Sequence, residues 1–331
     1  MKRMIRLLLL PVISLLGPGC DHSFNPKETF EEQYVLQCFV GVLALGGNSQ
    51  VTAVLAKTYD VNGVDANANT TDPGIAGAEV TLTVNQRPYY LLGSQRPNPD
   101  TGRYRTQQWV YTSSISTLRY DAAVSITAKL PNGKILTAHT TVPGQRTFVS
   151  NYEFGTGLMS PTHLEPGKPN WTISWENNDV IEVHLFVPRL TISYTKMVGQ
   201  NEIPGSVSVP LRYVSSPGGT IPYYASLSPE TQCAFEFAAL DSAMARISSG
   251  DTAKSKFGVH TARFELMEYD LPLSKYYASI NGSLDQYSIR TDESVYTNVS
   301  GGIGILGSYV VRYTDFMFDE RYVQRFGYRY R

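Results

Sequence analysis

The stretch "NVSGGIGILGSYVVRY", Asn298 to Tyr313, decides the fold class, because Gly302, Gly304 and Gly307 spell G-x-G-x-x-G. Behind a buried strand and at the start of a helix, that spacing lays a dinucleotide pyrophosphate on backbone N–H groups, with an acidic residue about 20 positions on. After Gly307 come Ser308, Tyr309, Val310, Val311, Arg312 and Tyr313, a β-branched and aromatic run that reads as strand. Only 24 residues remain after Gly307 (331 minus 307), too few to complete a βαβαβ unit. The glycines are therefore read as structural, in a strand or bulge where backbones approach closely.

Upstream the text is β-rich from Tyr34. "YVLQCFVGVLAL", "SQVTAVLAKTY", "AEVTLTVN", "DAAVSITAKL" and "KILTAHTTVP" are short apolar or alternating runs separated by Gly, Pro, Asn and Asp. Pro131-Asn132-Gly133 supplies the positive φ of a tight hairpin turn. This spacing predicts a β-sandwich over 34–147. "GIAGAEVTLTV", "DTGRYRTQQW" and "NGKILTAHTTVP" look like the immunoglobulin-like or transthyretin-like modules of bacterial envelope proteins. A Gly- and Pro-rich linker is expected over 148–170. A second β-rich domain over 171–331 is expected from "NWTISWEN", "VIEVHLFV", "RLTISYTKM", "GSVSVPLRYV", "RFELMEYDL", "YYASING" and the glycine stretch. One helix interrupts it. In "SPETQCAFEFAALDSAMARISSG", Ser228 reads as the cap, Pro229 as the first helical residue and Gly250 as the stop, with Cys233, Phe237, Leu240, Met244 and Ile247 forming an apolar stripe. The fold class is thus mainly β, a sandwich followed by a β-rich domain with one amphipathic helix.

The chain opens "MKRMIRLLLLPVISLLGPGC": Lys2, Arg3 and Arg6, an apolar run from Leu7 to Leu16, small residues, then Cys20. Residues 1–19 read as a secretory signal peptide, too short to span a membrane. A cysteine at that point resembles a bacterial lipobox, which implies a diacylated Cys20 as the new N-terminus, although Gly17 and Pro18 stand where that motif usually has Leu and a small residue. Residues 20–33 are polar and aperiodic, as suits a lipidated tether. No other apolar run reaches the length of a spanning helix.

Three of the 28 basic residues lie in the leader, leaving 25 against 29 acidic ones. That balance, with no Lys/Arg cluster, excludes nucleic acid as an expected partner. Cys38 and Cys233 are far apart; a disulfide is permitted by the compartment, and two buried thiols are favoured.

Catalytic motifs are missing: there is no G-x-S-x-G elbow and no H-E-x-x-H helix, and His22, His139, His163, His184 and His260 are scattered. Glu176, Asp179, Asp315, Asp319 and Glu320 would need to meet in space to act as a glycosidase pair. The metal candidate is "DVNGVDANANTTDPG", where Asp60, Asn62, Asp65, Asn67, Asn69 and Asp72 offer the oxygen ligands calcium prefers. It is not an EF-hand, since Thr70 and Ala76 stand where Gly and Glu are required, and a plain polar loop is the competing reading. No cofactor other than this possible calcium is expected.

The last 70 residues carry a family resemblance. "RFELMEYDLPLSKYYASINGSLDQYS" followed by "DESVYTNVSGGIGILGSYVV" resembles the C-terminal hallmark of a family of Bacteroidota outer-membrane lipoproteins. Tyr276, Tyr277, Glu293, Asn298, Gly301, Gly302, Gly304 and Gly307 match it, while Ser294 replaces the usual Pro and Leu306 the usual Phe. Such proteins are often encoded beside TonB-dependent receptors and have no catalytic residue to carry over. The resemblance implies a non-enzymatic lipoprotein of the outer membrane, acting by binding as an accessory of a TonB-dependent transporter. The alternatives are a fimbria-like or surface-assembly subunit and, third, an envelope hydrolase.

Overall fold

The structure, a computed structural model, describes residues 30–43, 48–61, 65, 68–116, 118–150, 158–159, 170–176, 183–280 and 295–331. The expected leader, Cys20 and most of the tether lie outside the described residues, as do Asn62, Asn67, Glu293 and most of the expected linker.

The chain is mainly β, as its alternating runs imply. The first strands are β1 (Tyr34–Leu43), β2 (Ser49–Lys57), β3 (Glu79–Val84), β4 (Arg87–Arg96), β5 (Gln108–Ile115), β6 (Ala123–Lys129) and β7 (Ile135–Thr141). Period-2 burial makes them: Val51, Ala53 and Leu55, then Val80, Leu82 and Val84, then Val124, Ile126 and Ala128 all point into one core. The Pro131-Asn132-Gly133 turn joins β6 to β7, with Gly133 at φ 85°. A second tight turn, unforeseen, joins β3 to β4 with two non-glycine residues in the left-handed region, Asn85 and Gln86. Strand β4 turns a corner, since Arg87–Leu91 pairs with β3 and Leu92–Arg96 with β5.

The remaining elements are β8 (Phe148–Ser150), β9 (Leu158–Met159), β10 (Asn170–Trp175), β11 (Phe186–Val198), β12 (Asn201–Val209), β13 (Arg212–Ser216), β14 (Gly219–Tyr223), β15 (Gln232–Glu236), α1 (Phe237–Arg246), β16 (Phe257–Tyr269), α2 (Leu271–Ile280), β17 (Ile303–Phe318), α3 (Glu320–Arg325) and β18 (Arg329–Tyr330). The strands β12-β11-β16-β17 form one antiparallel arrangement, and the small sheet β15-β10-β8 packs on it. Trp171 and Trp175 from β10 meet Phe316 and Phe186 edge-on at 4.7 and 5.5 Å between ring centroids.

The two cores share β17. Its first half pairs parallel with β1, from Val35↔Ile303 to Leu43↔Val311, and its second half antiparallel with β16, from Tyr309 to Met317. The path β12-β11-β16-β17-β1-β2-β5-β4-β3-β6-β7 is therefore one continuous hydrogen-bonded sheet. Its far end folds back: Ser300 and Thr137 exchange two backbone bonds of 2.8 and 3.1 Å, closing β7 onto the segment that leads into β17. The sandwich core accordingly contains Val299, Leu306 and Val310 from near the C-terminus.

Several expectations are corrected. The helix begins at Phe237, not near Ser228: Ser228 exchanges backbone bonds with Phe186, and β15 pairs with β10 so that Cys233 and Phe235 alternate into the core. Tertiary pairing overrides the helical spacing there. The rest of the stripe, Phe237, Leu240, Met244 and Ile247, is buried as expected. "YYASING" is not a strand; its described part, to Ile280, belongs to α2, capped by Asp270, whose Oδ1 accepts from the Leu273 N–H at 2.8 Å. A third helix, α3, is capped by Asp319. Within the expected linker, β8 pairs with β10 and so belongs to the second core.

Candidate functional site at the junction of the two cores

Strands β16 and β17 bring charged groups inward by the same period-2 rule that buries their apolar neighbours. On β16 the inward positions are Ala262, Phe264, Leu266 and Glu268, with Asp270 next in the series; on β17 they are Leu306, Ser308, Val310 and Arg312. Glu268 is fully buried. Its Oε1 accepts from Arg146 Nε at 3.1 Å and Nη2 at 2.8 Å, and its Oε2 accepts from Arg312 Nη1 at 2.5 Å. Arg312 also donates through Nη2 to the Gly144 carbonyl and lies 5.2 Å over the Tyr120 ring. Arg146 and Gly144 come from the segment after β7, so this triad joins the two cores. Such a buried triad fixes which surfaces meet more than it adds net stability, because desolvation offsets most of the Coulomb gain. Arg312 Nε, buried and without a partner, is part of that penalty.

His184 stands beside the triad, its Nδ1 2.9 Å from the Tyr269 carbonyl and 3.7 Å from Glu268 Oε1. A carbonyl only accepts, so Nδ1 carries the proton. Asp270 is the second hub. Its Oδ2 accepts from the Thr140 hydroxyl at 2.5 Å, the Ser308 N–H at 2.5 Å and the Ser308 hydroxyl at 2.7 Å, while Oδ1 caps α2. Burial pushes the Asp270 carboxyl above its ordinary range against the pull of those bonds. A pocket of about 550 Å³ opens here, lined by Arg146, His184, His139, Tyr296 and Asn298 with Leu271 and Pro272. Its size and its mix of apolar wall and convergent polar groups suit a small polar ligand.

The Asn-and-glycine segment builds one wall. Asn298 acts as a strand surrogate: its Nδ2 donates to the Leu306 carbonyl at 2.9 Å and the His139 carbonyl at 3.2 Å, and its Oδ1 accepts from the Leu306 N–H at 3.0 Å. Gly304 has φ 121°, and a side chain there would collide with the Leu36 carbonyl of the parallel partner β1. Gly301, at φ 83°, faces the Ile135 carbonyl, Gly302 faces the Tyr34 carbonyl, and Gly307 packs on Leu273 of α2. The run bearing the fingerprint is thus a strand that approaches β1, β7 and α2.

The other sequence candidates make local bonds where the structure describes them. Asp60 accepts from the Val61 N–H and Asn69 from the Thr71 N–H, and Asp72 accepts from the Gly74 N–H and from Asn98 Nδ2. These are loop-forming bonds, and among the described residues no three His, Cys, Asp or Glu side chains gather as a metal site. Of the carboxylates weighed as a glycosidase pair, Asp315 is held bidentate by Arg263 at 2.7 and 2.9 Å, Asp319 caps α3 and Glu320 accepts from Gln324; Asp179 lies outside the described residues. Cys38 and Cys233 are free thiols, one in each core, and burial pushes both up to about 12.

Arg146, His184, Glu268, Asp270 and Arg312 were not among the residues singled out by motif. The signal that finds three of them is parity, since Glu268 and Asp270 continue the apolar face of "RFELMEYD" and Arg312 continues that of Leu306 and Val310. Comparison with family models, curated proteins and solved structures gives no match.

Proposed function

We propose that the protein is an outer-membrane lipoprotein that works by binding, as an accessory of a TonB-dependent transporter. The observation that carries the reading is the way the junction uses its charged groups. Glu268 and Asp270 direct their oxygens to Arg146, Arg312, Thr140, Ser308 and the α2 N-terminus, which makes a rigid seat beside a pocket instead of a group poised to react. On this reading Cys20 carries the lipid, and the glycines and Asn298 hold the shape of the seat.

The fimbria-like alternative needs a free strand edge for exchange between subunits; the five-residue strands β13 and β14 have outer edges outside any larger sheet, whereas the large sheet blunts both of its ends. One end of the sheet, β7, is bonded back to Ser300. At the other end, the two-residue turn Gly199-Gln200 makes Val198↔Asn201 a hydrogen-bonded pair, so by alternation Pro204 occupies an outward-facing position and removes an edge donor. Arg246 Nη2 donates to the Ser208 carbonyl further along the same edge at 2.7 Å.

Acyl labelling of cells expressing the wild type and Cys20→Ser tests the anchor; incorporation by the serine variant would remove it. Extraction of outer membranes in mild detergent, followed by pull-down on a C-terminal tag, tests the partner. A TonB-dependent receptor is expected in near-stoichiometric amount after washing in moderate salt, as an interface of about 1,200 Å² or more would allow. Recovery of the lipoprotein alone, or of self-polymers, overturns the accessory reading.

A further inference from the structure

Strands β13 and β14 form a separate two-stranded arm. Its root is fastened by the Leu211 N–H donating to the Tyr223 carbonyl and the Glu236 N–H donating to the Leu211 carbonyl, both at 2.8 Å. Beyond the root, β13 runs beside α1 with Tyr213 and Ser216 half-buried, while every residue of β14 is exposed. Two-stranded hairpins of this kind are marginal in water by themselves. The register puts Arg212, Val214, Ile221 and Tyr223 on one face and Tyr213, Ser215, Thr220 and Pro222 on the other. Ile221 is 56% exposed and Tyr223 45%. From Ile203 to Pro229 the sequence carries a single charge, Arg212, where a solvated surface would carry several.

We infer that this arm is a membrane-contact element that seats in the headgroup region of a phospholipid leaflet. Two features favour lipid over a protein partner. Both faces of the arm lack acidic groups and carry apolar or tyrosine side chains, and a leaflet surrounds an inserted arm, whereas a protein surface would cover one face. Tyrosine, proline and isoleucine with one arginine at the root is the chemistry of the interface zone, where phenol rings sit at headgroup level and a guanidinium meets phosphate. The unpaired outer N–H and C=O groups of the two strands hold the arm at that depth, because the hydrocarbon interior would leave them unsatisfied.

The reach is compatible with an anchor at Cys20, the one point at which the inference leans on the proposed lipidation. Val35 pairs with Ile303, while Thr314 lies level with Phe264, Leu190 and Val209 at the arm's root. That is 11 residues along β17, about 37 Å, and four strand spacings across, about 19 Å, or about 42 Å on the diagonal. The 14 residues from Cys20 to Tyr34 extend to about 46–50 Å.

The test uses the full mature chain with Cys20→Ser, so that no acyl group assists. It is floated with vesicles of phosphatidylethanolamine and phosphatidylglycerol at low and high salt. Co-flotation that persists in high salt is expected, and Ile221→Asp combined with Tyr223→Asp weakens partitioning about tenfold with an unchanged far-UV spectrum and melting temperature. Absence of flotation, equal flotation by the variant, or binding that salt abolishes overturns the inference. So does a dimer in vesicle-free solution that the double substitution dissociates, since the occupant would then be a second copy. Acyl labelling reads Cys20 separately, so the two readings fail independently.

Discussion

At the junction, charged groups are buried and apolar groups surround them; on the arm, apolar groups are exposed and charged groups are few. Each inverts the usual distribution of side chains, and the two inversions have opposite physical consequences. Buried charges at the junction are held by short bonds from β7, β16, β17 and the segment after Thr141, so moving any one strands the others. Exposed Ile221 and Tyr223 hold no buried charge, and the one cation at hand, the exposed Arg212 guanidinium 5.0 Å over the Tyr223 ring, keeps its water if that ring is lost. Stability should therefore be concentrated at the junction, and contact with the surroundings at the arm.

The largest expected effect is at the strand common to both cores. Gly304→Val places a β-branched side chain at φ 121° against the Leu36 carbonyl, and neither β1 nor β17 can yield without breaking the parallel pairing. A loss of about 4 kcal/mol, or failure to fold, is expected in denaturant titration. A near-wild-type midpoint would mean that the two cores are not joined through this close approach.

Glu268→Gln comes next. It keeps the shape but takes the carboxylate away from buried Arg312 and weakens the set of partners around buried Arg146, at a cost of about 3 kcal/mol in equilibrium unfolding. A cost below 1 kcal/mol would mean that water reaches the triad and that the junction resembles the arm more closely than its burial implies.

Asp270 sharpens the comparison through pH. Burial raises its folded pKa above the ordinary 3.8, so the folded state binds this proton more tightly than the unfolded one. Its contribution to stability is thus complete below the ordinary value and is lost as pH rises through the raised one. Thr140, Ser308 and the α2 N-terminus face the carboxyl as neutral donors, and Tyr296 and Glu268 are the nearby acids. Relative to wild type, Asp270→Asn should gain stability as pH rises from the acid range to neutrality, measured as the difference in melting temperature. A difference that stays flat, or that runs the other way, means that the hydrogen bonds outweigh burial.

The same contrast explains how much of the molecule was legible in the sequence. Strands with one face buried, such as "VTAVLAK" and "AVSITAK", announce themselves by alternation, and so does the Asn-Gly turn between β6 and β7. β4 was missed because it changes partners midway, so that its apolar positions do not keep one parity. α2 was hidden by Tyr276 and Tyr277, residues of strand propensity that only the Asp270 cap outweighs. The junction draws Arg146, His184, Glu268 and Arg312 from segments more than 35 residues apart, and no local pattern encodes their meeting. The arm was partly readable: "GSVSVPLRYV" looks like one strand, but Pro210 divides it and leaves the second half facing outward.

The smallest expected effect is also the most decisive for the comparison. Ile221→Asp should change the unfolding free energy by no more than about 0.5 kcal/mol, because the side chain is more than half exposed and the residue opposite, Val214, is itself exposed. An aspartate opposite valine removes a weak cross-strand apolar contact, about 0.2–1 kcal/mol in a solvated sheet, and restores hydration to a surface from which apolar atoms exclude water. Those terms oppose each other, so the midpoint and slope of the denaturation curve should both superimpose on wild type. A loss of 2 kcal/mol or more would show that Ile221 is buried in the solution structure. The arm would then belong to the second core, and the division between a part that holds the fold and a part that meets the surroundings would fail.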